Sequence, residues 1–345
     1  MTSYDLAVFI GAFEPFHNGH LATLMRALES AGRVAVLVGS AERPRSPQNP
    51  WPFGEREAMI RAALGENAGR ASILPLRDHL YDENAWMTEA QTQIARVLGE
   101  LRIGPDARIA LFGHARDARD AYLAAFPQWD FVETARGTEL PGRELRRCFL
   151  SQDEEALQTL AVNVPEPVFA TLHASRATQG FATLLEEHRY LEEYRALWSS
   201  APYPPILVTA DAVVVHSGHV LLVQRKAHPG RGLWALPGGF IELDEPVRDA
   251  AIRELREETG LGIDDRTLLG RLCGEKVFDA PDRSQRWRTI THALYFLFPT
   301  GAPPPVSGGD DAARAQWIPL AQAHAMRSAI FEDHYFILEY FVGCG

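Results

Sequence analysis

The chain has 345 residues, 46% of them apolar, with 34 Lys+Arg against 45 Asp+Glu and a formal net charge of -11. That apolar share excludes a disordered chain, and the acidity excludes a non-specific grip on nucleic-acid backbone. The length predicts two domains, or three.

The basic residues are lopsided. Lys226 and Lys276 are the only lysines, so residues 1–225 must handle phosphate with Arg, His or backbone N–H groups. A P-loop, whose motif requires lysine, is excluded there. Cys148, Cys273 and Cys344 are too scattered for a disulfide framework or a C-x-x-C metal site. The N-terminus shows no basic region followed by an apolar core. The apolar run Ile206–Val215 is far too short to span a bilayer. The expectation is a reduced, cytoplasmic protein with no membrane or nucleic-acid partner.

In chain order, Leu6–Ile10 reads as a buried strand and Gly11–Gly19 as a loop. A helix runs from about Asn18 to Ser30 and stops at Gly32. Strand Val34–Val38, helix Glu55–Leu64, strand Ser72–Leu76, helix Ala85–Leu101, strand Ala107–Phe112, helix Asp117–Phe126 and strand Asp130–Glu133 follow. This alternation predicts an α/β domain over residues 1–150, a doubly wound parallel sheet with its ligand site at the carboxyl ends of the strands. Residues 151–201 read as a helical bridge packing on the first domain, broken by Pro202, Pro204 and Pro205. Residues 202–345 read as a second domain of α+β type. It has a hairpin (Ile206–Val215 and His219–Arg225), one strong helix (Pro246–Thr259) and strands near Leu268–Glu275 and Thr289–Phe298. A polar loop, Gly301–Ala313, and a last helical stretch close it.

Two segments carry chemistry. In Phe9–Leu21 (FIGAFEPFHNGHL), His17 and His20 flank a strand-to-helix junction. Gly11 and Gly19 let backbone come close to a ligand, and the helix N-terminus seats phosphate. Two imidazoles there can donate to a pentacoordinate phosphoryl group; H-x-x-H also fits a metal pair or two surface histidines. The second segment, Gly238–Leu261, fits G-x5-E-x7-R-E-U-x-E-E-x-G-U at Gly239, Glu245, Arg253, Glu254, Leu255, Glu257, Glu258, Gly260 and Leu261. Glu254, Glu257 and Glu258 stand at i, i+3 and i, i+4 on one helix face. Their mutual repulsion is relieved by a hard cation, which in turn draws a diphosphate; the plain alternative is a solvated acidic face.

This second segment resembles the Nudix box. The resemblance implies a sheet sandwiched by helices and hydrolysis of a nucleoside diphosphate linked to another group, with Mg2+ or else Mn2+ as the ion. It makes Glu254, Glu257 and Glu258 catalytic metal ligands, oriented by Glu245 and Arg253, with Gly239 shaping the loop. Which glutamate acts as base stays open. The run Val277–His292 offers Phe278 to stack a purine and Arg283, Arg286 and Arg288 to clamp phosphate, or else forms a basic surface loop. It is similar to Nudix domains acting on ADP-ribose, which more often read RSLRGR; Gln285 and Trp287 depart from that.

The first segment resembles the H-x-G-H motif of the nucleotidylyltransferase superfamily. Asn49–Phe53, Asp78–Tyr81 with Trp86, Gly113-His114 with Asp117, and Phe126–Trp129 look like NMN adenylyltransferases. The resemblance places Gly11, Phe13, Asn49, Trp86, Gly113, Asp117 and Arg143 at the substrate site and His17, His20 and Arg146 at the reacting phosphate. Trp86 suits either a nicotinamide stack or a core position. The whole chain is similar to the bifunctional NMN adenylyltransferase/Nudix hydrolases: an N-terminal nucleotidylyltransferase domain, a helical bridge and a C-terminal Nudix sandwich. ATP, NMN or NAD, and ADP-ribose are the implied partners. Two departures stand out. Ala12 replaces the usual Arg, and Leu140–Arg146 (LPGRELR) keeps only the final Arg of the usual I-S-x-T-x-I-R, with Arg143 nearby as a replacement charge. They motivate a second reading, a Nudix pyrophosphatase whose first domain only senses nucleotide. A third, a Nudix-type regulator, is opposed by the intact box and the charge of -11.

Overall fold

A computed structural model describes residues 3–104, 106–114, 125–134 and 140–343. Asp117, Cys344 and nearly all of the expected helix Asp117–Phe126 lie outside them. The chain divides into two compact units, Met1–Leu185 and Glu186–Gly345. No helix among the described residues is long and apolar enough to cross a membrane.

The first unit is built on strands β1 (Leu6–Gly11), β2 (Val34–Val38), β3 (Ala71–Pro75), β4 (Ile109–Gly113) and β5 (Asp130–Glu133). All pair in parallel, in the order β3-β2-β1-β4-β5. Both faces are covered, which is why the strands read as continuous apolar runs. Ala7 and Phe9 face one cluster with Leu24 and Leu28 of α1 (Asn18–Ala31) and Met59 and Ile60 of α2 (Phe53–Leu64). Leu6 and Val8 face the other, with Ala90, Ile94 and Val97 of α3 (Glu83–Leu101). The order reverses between β1 and β4, so the carboxyl ends of these two strands flank the crevice where such sheets bind ligands.

Three further helices, α4 (Gly142–Leu150), α5 (Glu154–Asn163) and α6 (Glu166–Ser175), send Leu145, Phe149, Leu160, Val168 and Leu172 into the first cluster. Helix α7 (Gln179–Ala196) adds Phe181 and Leu184.

Just past β3, Glu89 of α3 takes Arg77 Nε at 2.9 Å and His79 Nε2 at 2.7 Å. Burial alone would raise this carboxyl, but the hydrogen bonds from His79 and Arg77 outweigh it and hold it at about 2. A carboxylate held below its ordinary 4.5 stabilises the fold above that pH, and the contribution disappears as pH falls towards 2. Solvent screening trims it to about 1 kcal/mol. Glu89→Gln is expected to lower the urea midpoint at pH 7, the gap to the parent protein closing between pH 4.5 and pH 2.

The second unit holds β6 (Ile206–His216), β7 (His219–Arg225), β8 (Trp234–Ala235), β9 (Gly238–Phe240), β10 (Leu272–Phe278), β11 (Arg288–Phe298) and β12 (Ala312–Pro319). The main order is β10-β11-β6-β7-β12, with β8 on β7 and β9 on β6. β6 and β11 run parallel and the other pairs antiparallel, a mixed sheet. The hairpin turn is shorter than the three residues expected: Ser217 and Gly218, at φ of 47° and 75°, suffice, as a two-residue turn with both φ positive requires.

Helix α8 (Val247–Thr259) starts after Pro246 and stops at Gly260, which is left-handed at φ 60°. It buries Ala250, Ala251 and Leu255 against Ala212, Val214 and Leu294 of the sheet. Two expectations differ. The segment expected as a strand from Leu268 begins as helix α9 (Asp265–Leu269), because the Asp264 carboxylate accepts the Thr267 N–H and caps it. The stretch from Ala312 is strand β12, not loop passing into helix. Its burial alternates too poorly to read from sequence, and pairing with β7 supplies the order. Helices α10 (Leu320–Ala325) and α11 (His334–Val342) complete the unit.

Candidate active sites

The first site lies where β1 gives way to α1. His17 is the N-cap: its side chain accepts the His20 N–H at 3.4 Å, and His20 Nδ1 accepts the His17 N–H at 3.2 Å. This is a capping box made of two imidazoles, whose rings stack with centroids 3.5 Å apart. Each Nδ1 is an acceptor, so in the neutral ring each proton sits on Nε2 and points away from the cap. Burial, then His17 and His114, hold His20 well below the usual histidine range. His20 is therefore a neutral imidazole carrying its proton on Nε2 at the positive end of a helix.

Phe13 explains the ring placement. Its φ of 54° turns the side chain back under Gly11, where a Cβ would lie 3.0 Å from the ring. Phe13 is 1% exposed and packs 4.9 Å from His20, so it supports that imidazole and offers no face to a ligand. Across the crevice Gly113 ends β4, packed so closely that a Cβ would lie 3.3 Å from Phe131. His114 Nδ1 meets the Thr134 carbonyl at 3.0 Å.

Arg146 is brought in by α4. Its Nη1 donates to the Glu14 carbonyl at 2.7 Å, and Gly142 is needed because a Cβ would lie 2.9 Å from that same oxygen. Arg143 is exposed at the start of α4, 3.5 Å from Glu144. Asn49 is half-buried in a turn with Ser46. Trp86 is half-buried on α3, 6.0 Å from Phe126. Sequence reasoning missed Glu14. Its carboxyl is buried and lies 3.0 Å from the equally buried Arg56, and burial pushes it up to about 8 against the pull of that arginine. The only signal was one acidic residue inside Phe13–Phe16.

The second site is a cavity of about 340 Å³ in the second unit. Glu254 and Glu258 line it from α8, with Asp211 of β6 and Asp310 and Asp311 of the loop before β12. Arg225, Arg286, Phe240 and Phe331 line other parts. Arg286 stacks 5.0 Å from the Phe240 centroid and Arg225 4.3 Å from that of Phe331. Among the described residues the buried Arg286 Nε has no hydrogen-bond partner.

Arg253 organises the carboxylates. It donates to Glu245 at 3.0 and 2.6 Å, to Glu254 and Glu257 at 2.9 Å each, and to the Phe240 carbonyl at 3.1 Å. Its hydrogen bonds hold Glu245 below the usual carboxylate range. Gly238 is obligatory, because a Cβ would lie 2.5 Å from the Ala210 carbonyl oxygen; at Gly239 a Cβ would lie 2.4 Å from the Glu254 carboxylate and displace it. Glu258 accepts the Gly238 N–H at 3.0 Å, yet burial pushes it up to about 8. Glu254 is raised too, by burial against the opposing hydrogen bond from Arg253. Two carboxyls crowded together and lifted by burial fit a hard divalent cation as their missing counter-charge. Glu257 is not brought in with them. Its side chain is 46% exposed, paired to Arg253, and does not line the cavity. No group of three potential metal ligands is preassembled among the described residues.

The expected substrate-side residues are dispersed. Phe278 is fully buried, edge-on to Tyr340, and has no face left for a purine. Arg283 lines the cavity, but its guanidinium forks onto the buried Asp333 at 2.9 and 2.8 Å. Arg288 donates to the Asp279 carbonyl and lies outside the cavity lining, because β11 pairing fixes it beside Ile206. Asp211, Arg225 and His334, which the box does not contain, are in the lining instead. The signals were an acidic residue interrupting an apolar strand and a polar Glu332-Asp333-His334 inside an apolar segment.

A NUDIX domain family model matches residues 206–340, and a cytidylyltransferase-like model matches residues 8–84. The chain is 34% identical over 134 residues to the nicotinamide/nicotinic acid mononucleotide adenylyltransferase of Acinetobacter baylyi, covering 39% of this chain and 68% of that protein. It is 36% identical over 132 residues to the ADP-ribose pyrophosphatase of Methanocaldococcus jannaschii, covering 38% and 69%. The crystal structure of a bifunctional NMN adenylyltransferase/ADP ribose pyrophosphatase from Francisella tularensis matches with a TM-score of 0.89 and 36% identity, over 99% of this chain and 100% of that one. A second Francisella tularensis structure, complexed with AMP and Mn ion, matches with a TM-score of 0.89 and 35% identity, over 98% of each chain. With likeness running from end to end and both halves matched separately, this chain belongs to the family of bifunctional NMN adenylyltransferase/Nudix hydrolases.

Proposed function

We propose that the chain is a cytoplasmic two-site enzyme of NAD metabolism. The first unit joins NMN and ATP to give NAD and pyrophosphate. The second hydrolyses ADP-ribose to AMP and ribose 5-phosphate with a divalent ion, Mg2+ or alternatively Mn2+. The observation that carries this is the end-to-end likeness to the Francisella enzyme, together with two polar sites of different chemistry.

In the first site the NMN phosphate attacks the α-phosphorus of ATP, and pyrophosphate leaves. His17 and His20 donate Nε2–H to the phosphoryl oxygens beside the N-terminus of α1. Arg146 stays charged beside them. Arg143, exposed at the start of α4, supplies the triphosphate charge that Ala12 lacks.

In the second site Glu254 and Glu258 hold the ion, and Glu257 joins when its pairing with Arg253 opens. The ion, when bound, activates water and neutralises charge at the bridging oxygen. Arg225 and Arg286 face the diphosphate, and Phe240 and Phe331 hold those guanidiniums flat.

The test is to incubate the purified protein with NMN, ATP and Mg2+, and separately with ADP-ribose and Mg2+, separating products by chromatography. NAD in the first and AMP in the second are expected; the absence of both products overturns the reading. Tight ATP binding with no NAD formed would favour the sensor reading that Ala12 and Pro141 motivate.

A further inference from the structure

We propose that His334, at the start of α11, contacts the substrate of the second site, donating its Nε2–H to a phosphoryl oxygen of the nucleoside diphosphate. The inference rests on the hydrolase reading above. It concerns a residue 76 positions beyond Glu258 and outside the Nudix box.

The tautomer follows from the fold. The buried Leu236 N–H donates to His334 Nδ1 at 3.0 Å, so Nδ1 is the acceptor and the proton of the neutral ring resides on Nε2. His334 is only 7% exposed and lines the cavity. Among the described residues Nε2 has no hydrogen-bond partner. An N–H donor without a protein acceptor, in a residue that lines a polar cavity, is open to an acceptor on a ligand or to water. Burial holds the ring below the usual histidine range, although Asp211 and Asp333 pull the other way, so it stays neutral.

Neutrality suits the position. A cation here would be drawn to Asp211 and Asp333. A neutral N–H leaves those carboxylates alone and still donates to a phosphoryl oxygen. The donor is also rigid. Phe331 N–H donates to the Trp234 carbonyl at 2.8 Å, Glu332 accepts Ser284 Oγ at 2.9 Å, and Asp333 takes the Arg283 fork. Preorganised donors of this kind strengthen binding without a reorganisation cost.

The test uses His334→Asn in the full chain. Asparagine can present its oxygen where Nδ1 stood, keeping the Leu236 N–H satisfied, but it has nothing at the Nε2 position. We expect kcat/KM for ADP-ribose to fall roughly 10- to 100-fold, with unchanged NAD formation and an unchanged melting temperature. Wild-type hydrolysis by a folded His334→Asn overturns the proposal. In parallel, 15N-histidine NMR of the wild type follows the His334 Nε2–H on adding AMP and Mg2+. A shift supports contact and an unmoved resonance overturns it, even if the variant does not fold. Should the wild type fail to hydrolyse ADP-ribose, the substrate reading falls, and the NMR result still decides His334.

Discussion

Glu258→Gln is expected to reduce ADP-ribose hydrolysis by at least about 10^3-fold and to leave NAD formation unchanged. The substitution is conservative in shape: a glutamine oxygen can still accept the Gly238 N–H that Glu258 takes at 3.0 Å. What disappears is the negative charge. Without an ion that charge is a burden, because burial raises the carboxyl from 4.5 to about 8. A carboxyl raised on folding costs stability as pH climbs from 4.5 towards 8, since the unfolded chain ionises first. Metal-free Glu258→Gln should therefore melt higher than the metal-free parent at pH 8, and the order should reverse when Mg2+ is added. Thermal melts with and without chelator check this, beside steady-state rates. A variant less stable in both states would show that the carboxylate serves the fold and not the ion. Glu257→Gln should lose less activity, since that side chain starts on Arg253 outside the cavity.

Much of the fold was legible because local pattern and global packing agree. Val34–Val38 is apolar at every position since both sheet faces are covered, and the structure begins and ends the strand at those residues. The box was legible because, at fixed spacing, Gly260 meets a backbone requirement as the left-handed helix stop and Gly239 leaves room for the Glu254 carboxylate. What failed depends on long-range partners. The helical spacing of three glutamates says they share a face; it does not say that Arg253 will hold one of them aside. Phe278 looked available as an aromatic in the polar run Val277–His292, yet α11, more than fifty residues on, covers it with Tyr340. His334 and Leu236 meet across 98 positions. Helix α4 escaped notice because Pro141-Gly142 reads as a breaker, while in the structure Pro141 is the N-cap and Gly142 is packed on Glu14.

His20→Ala is expected to cut NAD formation by roughly 10^2- to 10^4-fold, mainly in kcat, with ADP-ribose hydrolysis untouched. Alanine removes two things at once. It takes away the Nε2–H proposed to reach the reacting phosphate, and it takes away the Nδ1 that accepts the His17 N–H. His20→Asn separates them, since its oxygen can keep the cap while the phosphoryl donor is lost. If the donor is what matters, both variants are equally slow and only the alanine variant melts lower. If the cap is what matters, asparagine restores the rate. The pH profile gives a second check. Burial, then the neighbouring His17 and His114, keep the His20 ring neutral well below the usual 6.5. Between pH 6 and pH 8 its donor state does not change, so kcat for NAD formation should have no limb near 6.5 that disappears in His20→Asn. Such a limb would mean that the ring works as a cation, and the assignment of a neutral donor would fall.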